Sequence, residues 1–317
     1  MRVVFRSPIL RPQFEELAGR HGVAFVVPED EAALHKALAD ADALWMWPDF
    51  YDAGLVGAIA PHAHRLRWVQ LQTMGYDPVE AHGIPPGVTV TTAGDAFAPA
   101  VAEHALALLL ALVRQVHRAA RAQRWDPSIA AGIGTLVDAR IAVLGFGSIG
   151  REIAQRLRAC GARVVAITRR GVPHPLVDEM HSVEELAAAL AGADALIVAA
   201  PLTAGTRAIV GAATLAMLPP RAVVVNIARG GLVDHDALLA ALRHGTIAGA
   251  GLDVTDPEPL PGEHPLWRRP DVIVTPHVAG YGGAVSPRRL LERVERNLTL
   301  YRAGAPLENA VNLVAGA

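Results

Sequence analysis

An arginine, a glutamate and a histidine stand in three short polar segments of the second half of the chain. Arg229 lies in Asn226-Ile227-Ala228-Arg229-Gly230-Gly231, Glu258 in Asp253-Val254-Thr255-Asp256-Pro257-Glu258-Pro259, and His277 in Thr275-Pro276-His277-Val278-Ala279-Gly280. An arginine carries a planar, permanent charge, and an imidazole can take up or release a proton near neutral pH. Downstream of a glycine-rich turn, these types in this order fit a hydride-transfer site. Each segment follows or ends an apolar run, Ala222 to Val225, Ala248 to Leu252 and Val272 to Val274, that reads as a buried parallel strand. Polar residues at the carboxyl ends of neighbouring parallel strands converge on one crevice.

The elements that must position these residues are legible as two alternating series. In the first, strand-like runs at Val3–Phe5, Ala24–Val27, Ala43–Met46, Trp68–Leu71 and Val88–Thr91 alternate with helical stretches such as Glu29–Ala39. A long helix is expected from about Pro99 to Arg121, apolar around most of its middle and therefore buried on several sides. After a loop from Trp125 to Thr135, a second series begins at Ile141 and runs through Val164–Ile167, Ala195–Val198 and Val223–Val225 to the strands near Gly249 and Val272. An amphipathic helix, about Pro287 to Tyr301, closes the chain. Alternation of this kind means α/β architecture, parallel sheets with helices on both faces.

The 317 residues allow two domains with separate cores. With a net charge of −2 and scattered basic residues, neither a nucleic acid nor a membrane surface is an expected partner. A single cysteine, Cys160, excludes an internal disulfide framework, suits a reducing compartment and reads as a small apolar residue inside a helix. The chain opens on a strand rather than a secretory signal, and its most apolar segment, Ala105–Val113, is shorter than the roughly 20 residues of a membrane span. A cytoplasmic protein is the expectation. The histidines and carboxylates form no cluster at metal-ligand spacing, so no metal site is expected. His62, His64 and His82 have no catalytic context and read as surface residues.

Gly145-Phe146-Gly147-Ser148-Ile149-Gly150 follows the strand Ile141–Leu144 and opens a helix, Arg151–Ala159. Between a strand and a helix this spacing is a dinucleotide fingerprint, in which glycines permit a tight turn and close approach of a pyrophosphate to a helix N-terminus. An acidic residue about 20 positions on would bind the ribose hydroxyls of NAD. Here the next strand ends Ile167-Thr168-Arg169-Arg170-Gly171, without an acid. Two arginines and a hydroxyl can bind a 2′-phosphate through charge-assisted hydrogen bonds, which favours NADP(H) over NAD(H). Two solvated surface arginines would leave the choice open.

Taken together, these segments resemble the D-isomer-specific 2-hydroxyacid dehydrogenases, in particular their glyoxylate/hydroxypyruvate reductase branch. The resemblance extends over nearly the whole chain. Besides the fingerprint it includes Val101-Ala102-Glu103-His104, Pro201-Leu202-Thr203 with Thr206-Arg207, Asn226 to Asp234, Gly251-Leu252-Asp253-Val254, Glu258-Pro259 and Thr275-Pro276-His277. It implies that His277 is the acid–base for the keto oxygen, that Glu258 orients and charges His277, and that Arg229 polarises the keto group and holds the carboxylate. On the cofactor side it implies Val101 and Gly280, the fingerprint residues Gly145, Gly147, Ser148, Ile149 and Gly150, and Thr168, Arg169 and Arg170. Pro201, Thr206, Ile227, Ala228, Arg229 and His277 complete that set, with Asp253 taking the nicotinamide carboxamide or, alternatively, capping a strand end.

In the first domain, Leu71-Gln72-Thr73-Met74-Gly75-Tyr76-Asp77 matches the family's carboxylate-binding loop, with Met74 and Gly75 as candidates. The family more often has a small residue at Met74 and an aliphatic one at Tyr76, and Tyr281-Gly282-Gly283 also departs from its pattern. Trp47, in Trp45-Met46-Trp47-Pro48, either covers the substrate side chain or joins the core.

The resulting expectation is a Rossmann nucleotide domain, residues 99–287, inserted into a flavodoxin-like substrate domain, residues 1–98 and 288–317. Hinges near Ala98 and Pro287 would allow closure over a cleft. The resemblance also implies a homodimer built on the helix around Glu103–Val113 and the loop near Trp125. The expected reaction is reversible NAD(P)H-dependent reduction of a small 2-oxoacid to the D-2-hydroxyacid. Competing readings are a formate or phosphite dehydrogenase, the former usually having glutamine in place of Glu258, and a dinucleotide-responsive corepressor-like binding module.

Overall fold

A computed structural model describes residues 1–313. The chain forms two compact units, Met1–Phe97 with the segment from Gly282 onward, and Ala98–Tyr281. The larger unit is thus an insertion in the smaller.

The smaller unit contains β1 (Arg2–Arg6), α1 (Arg11–Arg20), β2 (Ala24–Val26), α2 (Glu31–Leu38), β3 (Ala43–Met46), α3 (Ala53–Ile59), β4 (Trp68–Leu71), α4 (Asp77–His82) and β5 (Thr89–Thr91). Its five strands are parallel in the order β2-β1-β3-β4-β5, the flavodoxin-like winding. The central strands β3 and β4 are buried along their whole length, as expected where helices cover both faces. Helix α2 starts where the Asp30 carboxylate accepts the Ala33 N–H at 2.7 Å, an N-cap. One face of the sheet buries Phe5, Phe14, Trp45 and Trp68.

The larger unit contains α5 (Ala98–Val113), α6 (Val116–Arg121), β6 (Arg140–Leu144), α7 (Ser148–Ala159), β7 (Arg163–Thr168), β8 (Glu179–Ser182), α8 (Leu186–Leu190), β9 (Ala195–Val198), α9 (Ala212–Ala216), β10 (Val223–Asn226), α10 (His235–His244), β11 (Gly249–Leu252) and β12 (Val272–Val274). Its seven parallel strands run β12-β11-β10-β9-β6-β7-β8. The order reverses direction between β6 and β9, the topological switch point of a Rossmann sheet. The closing helix α11 (Val285–Arg302) belongs to the smaller unit and buries Leu290, Val294 and Leu298.

Two sequence expectations need correction, and one strand had no sequence expectation. The long helix is broken: Gln115 adopts φ 56°, and α6 begins anew at Val116. The last carbonyls of α5 find partners from beyond the helix, because Gln115 Nε2 donates to Leu112 O at 3.0 Å and Gly134 N to Val113 O at 2.8 Å. These contacts end the helix as a C-cap would. Strand β8 went unforeseen, since Glu179-Met180-His181-Ser182 has no apolar run and pairs only with β7 at the sheet edge. Cys160 is not inside a helix but at the C-cap of α7, half-buried. Among the described residues, no helix is long and apolar enough to cross a membrane, and no group of three or more metal-ligating side chains is gathered.

Candidate active site

In the larger unit the three chemistry-bearing residues follow adjacent strands. Arg229 leaves β10, Glu258 sits in the loop after β11, and His277 follows β12. The turn carrying Arg229 is stapled by the fully buried Asn226, whose Nδ2 donates to Arg229 O at 2.8 Å and whose Oδ1 accepts Ala228 N–H at 3.1 Å. Arg229 Nη1 donates to Ala228 O at 2.7 Å. The next residue must be glycine. A Cβ on Gly230 would stand 1.9 Å from Thr255 O, so the Arg229 turn lies directly against the loop that carries Glu258.

His277 Nδ1 is 2.5 Å from Glu258 Oε1. A carboxylate can only accept, so the hydrogen-bond network assigns a proton to Nδ1 and leaves Nε2 to face a reactant. The second carboxylate oxygen of Glu258 accepts Thr255 N–H at 3.4 Å. His277 itself has φ 52°, a conformation that costs a non-glycine residue roughly 1–2 kcal/mol. Its neighbours supply the restraint. His277 N donates to Asp253 O at 2.8 Å, and Val278 N and Ala279 N donate to the Asp253 carboxylate at 2.9 Å each.

Asp253 is almost completely buried. Burial pushes its carboxyl up, but hydrogen bonds from His104, Thr275, Ala279 and Val278 outweigh that and bring its pKa down to about 2. The aspartate is therefore anionic at neutral pH, and its acceptor capacity is largely spent on the segment around His277.

The fingerprint takes the expected shape. Gly145 has φ 98°, and a Cβ there would lie 2.6 Å from the Ala199–Ala200 backbone. Gly147 is different: a Cβ there would meet no protein atom within 4 Å, and no side chain caps the first turn of α7. Open space before an uncapped helix N-terminus is what a pyrophosphate requires, so these residues fit a dinucleotide. Ser148 is exposed, whereas Ile149 is half-buried.

At the end of β7, the Thr168 hydroxyl accepts Gly171 N–H at 3.0 Å. Arg169 and Arg170 are exposed. Neither forms an ion pair among the described residues. Thr206 directs its hydroxyl to Pro201 O at 2.7 Å and accepts Thr203 N–H at 2.8 Å, which leaves this loop's backbone rather than that hydroxyl to meet a ligand. Val101 and Ile227 are buried, while Ala228 and Gly280 are half-buried.

In the smaller unit, Trp47 and the Met74–Gly75 loop follow the carboxyl ends of neighbouring strands β3 and β4. Trp45 is the core tryptophan, whereas Trp47 is only half-buried and its Nε1 donates to Asp49 Oδ2 at 3.1 Å. Met74 packs its side chain on the cluster of Phe5 and Trp45. Thr73 Oγ1 donates to Gly75 O at 2.8 Å. Two contacts had no sequence signal as contacts: His104 reaching Thr275 and Asp253, and the His174 ring edge-on to Phe146 of the fingerprint at 5.1 Å.

Residues 106–279 match the family described as D-isomer specific 2-hydroxyacid dehydrogenase, NAD binding domain. The chain belongs to that family. A glyoxylate reductase of Thermococcus gammatolerans is 35% identical over 272 residues, 81% of this chain and 79% of that protein. Among solved structures, a D-isomer specific 2-hydroxyacid dehydrogenase of Xanthobacter autotrophicus in complex with NADPH superposes with a TM-score of 0.83 at 31% identity, over 98% of each chain. An NADPH-dependent glyoxylate/hydroxypyruvate reductase of Sinorhizobium meliloti, in complex with NADP and sulfate, gives a TM-score of 0.83 at 28% identity, again over 98% of each chain. As a member of the 2-hydroxyacid dehydrogenase family, this chain is an NAD(P)-dependent oxidoreductase acting on CH–OH donors, with a Rossmann and a substrate domain.

Proposed function

We propose that this dehydrogenase reduces a small 2-oxoacid, such as glyoxylate or hydroxypyruvate, to the D-2-hydroxyacid, reversibly and with NADPH preferred to NADH. The observation that carries the reading is the His277–Glu258 pair at 2.5 Å. A bound nicotinamide would supply the hydride. His277 Nε2 gives a proton to the keto oxygen in reduction and takes it back in oxidation. Glu258 fixes the ring's tautomer and orientation through the Nδ1 hydrogen bond. Arg229 offers its fork to the carboxylate and keto oxygens, which lie in one plane in a 2-oxoacid.

For Glu258→Gln, the amide no longer holds the proton on Nδ1, so the ring loses its fixed tautomer. kcat should fall by on the order of 10²–10⁴; a variant with parental kcat would remove Glu258 from the mechanism. The preference for NADPH rests on the two arginines without ion pairs at the end of β7. It is tested by titrating NADPH and NADH separately and then assaying both at 340 nm against glyoxylate, hydroxypyruvate, pyruvate and phenylpyruvate. Tighter binding and faster turnover with NADPH are expected. If NADH wins in both, the arginine argument falls and the reaction stands. No turnover on any of the four, with dinucleotide bound, would favour the corepressor-like reading.

We also place the protein in the cytoplasm as a homodimer. Trp125 is 95% exposed, and Val116, Ile133 and Val137 are exposed with it, an apolar set that a second copy would cover. A sedimentation mass of one chain, 33.4 kDa, would contradict the dimer.

A further inference from the structure

His104 lies on α5, far in sequence from the residues assigned to the reaction, in a segment that the family resemblance includes without giving His104 a role. Its Nε2 is 2.9 Å from Thr275 Oγ1 and 3.4 Å from Asp253 Oδ1. Thr275 Oγ1 is in turn 2.7 Å from Asp253 Oδ1. The direction of each hydrogen bond follows from proton counting. The Asp253 carboxylate can only accept, so the single hydroxyl hydrogen of Thr275 goes to it. The threonine oxygen is then an acceptor, and the hydrogen between it and His104 must come from Nε2.

The same carboxylate accepts the N–H groups of Val278 and Ala279, while the Asp253 carbonyl accepts that of His277. Thr275 on one side of His277 and Val278 and Ala279 on the other therefore hang on one anionic residue. Among the described residues, His104 is the side chain that ties Thr275 to a helix in this chain of bonds.

We propose that His104 is a positioning residue for His277, donating from Nε2 to Thr275 so that the Thr275–Asp253 bond keeps the His277 loop in register. The inference rests on the reading of His277 as the acid–base. The donor is present in the Nε2–H tautomer and in the imidazolium alike, so what the position requires is a hydrogen at that reach rather than a charge. A glutamine amide places a donor at nearly the same distance from the backbone. An asparagine amide falls short, and leucine has none.

The test compares His104→Gln, His104→Asn and His104→Leu in the full-length enzyme, measuring kcat, the KM for the best 2-oxoacid, the dinucleotide Kd and the melting temperature. Leucine and asparagine should lower kcat on the order of ten- to hundredfold, the cost of a small misplacement of a reacting group, with KM and dinucleotide Kd little changed. Glutamine should recover most of that loss. Parental kcat in both His104→Leu and His104→Asn would overturn the proposal. So would a glutamine variant as slow as the asparagine one, because that would show the ring itself, not its donor, to matter. If His104→Leu fails to fold, the glutamine–asparagine contrast still decides. Retained turnover in His277→Ala would instead overturn the reading of the site, whatever the His104 variants do.

Discussion

Arg229→Ala is expected to lose on the order of 10²–10³ in kcat, the scale set by removing one donor from a developing oxyanion. The guanidinium would act on charge that grows at the keto oxygen as hydride arrives, so the loss should fall on kcat as well as on KM. Arg229→Lys should recover little, since an ammonium is a point charge and cannot bridge two coplanar oxygens. The turn itself should survive both changes. Its staple is the Asn226 side chain bonded to backbone atoms of residues 228 and 229, and its contact with the Glu258 loop is made by Gly230. Steady-state kinetics with a 2-oxoacid check the claim, and an Arg229→Ala enzyme with intact turnover would sink it.

His277→Ala should cost about 10²–10⁴ in kcat, the usual contribution of a positioned acid–base. The loss should appear in reduction and in oxidation alike, because the same nitrogen gives the proton in one direction and removes it in the other. Dinucleotide binding should weaken far less than kcat, since the fingerprint turn at Gly145–Gly150 is formed by β6 and α7 and His277 is one member of a larger cofactor set. A fluorescence titration of NADPH alongside the kinetics separates the two effects. A variant that binds the dinucleotide and turns over at the parental rate would take His277 out of the chemistry.

Much of this was readable from the chain because buried parallel strands are apolar along their length. Ile141–Leu144, Ala195–Val198 and Val223–Val225 announce themselves as runs between turns, and the carboxyl ends of the first and the last mark where the fingerprint and Arg229 must lie. The Glu258–His277 bond was legible for a different reason: both residues sit in segments whose order resembles a known family. What stayed hidden was set by tertiary contact. Strand β8 is polar because it lies at an edge, so it lacks the apolar signal. The break at Gln115 depends on Gly134 and on the residue's own side chain reaching the helix end, and a propensity reading of a leucine- and alanine-rich stretch does not see it. His104 and Thr275 are separated by 171 positions. Only the packing of α5 beside β11 reveals that a helical histidine completes the hydrogen bonds of Asp253.

The most direct measurement follows the hydride itself. The enzyme is given pyruvate and NADPH carrying deuterium on the transferable face of nicotinamide C4, and the product is analysed by chiral chromatography and mass spectrometry. D-lactate with one deuterium at C2 is the expected result. Lactate without deuterium would contradict direct hydride transfer, and L-lactate would contradict the D-product assigned to a site built from Arg229, Glu258 and His277.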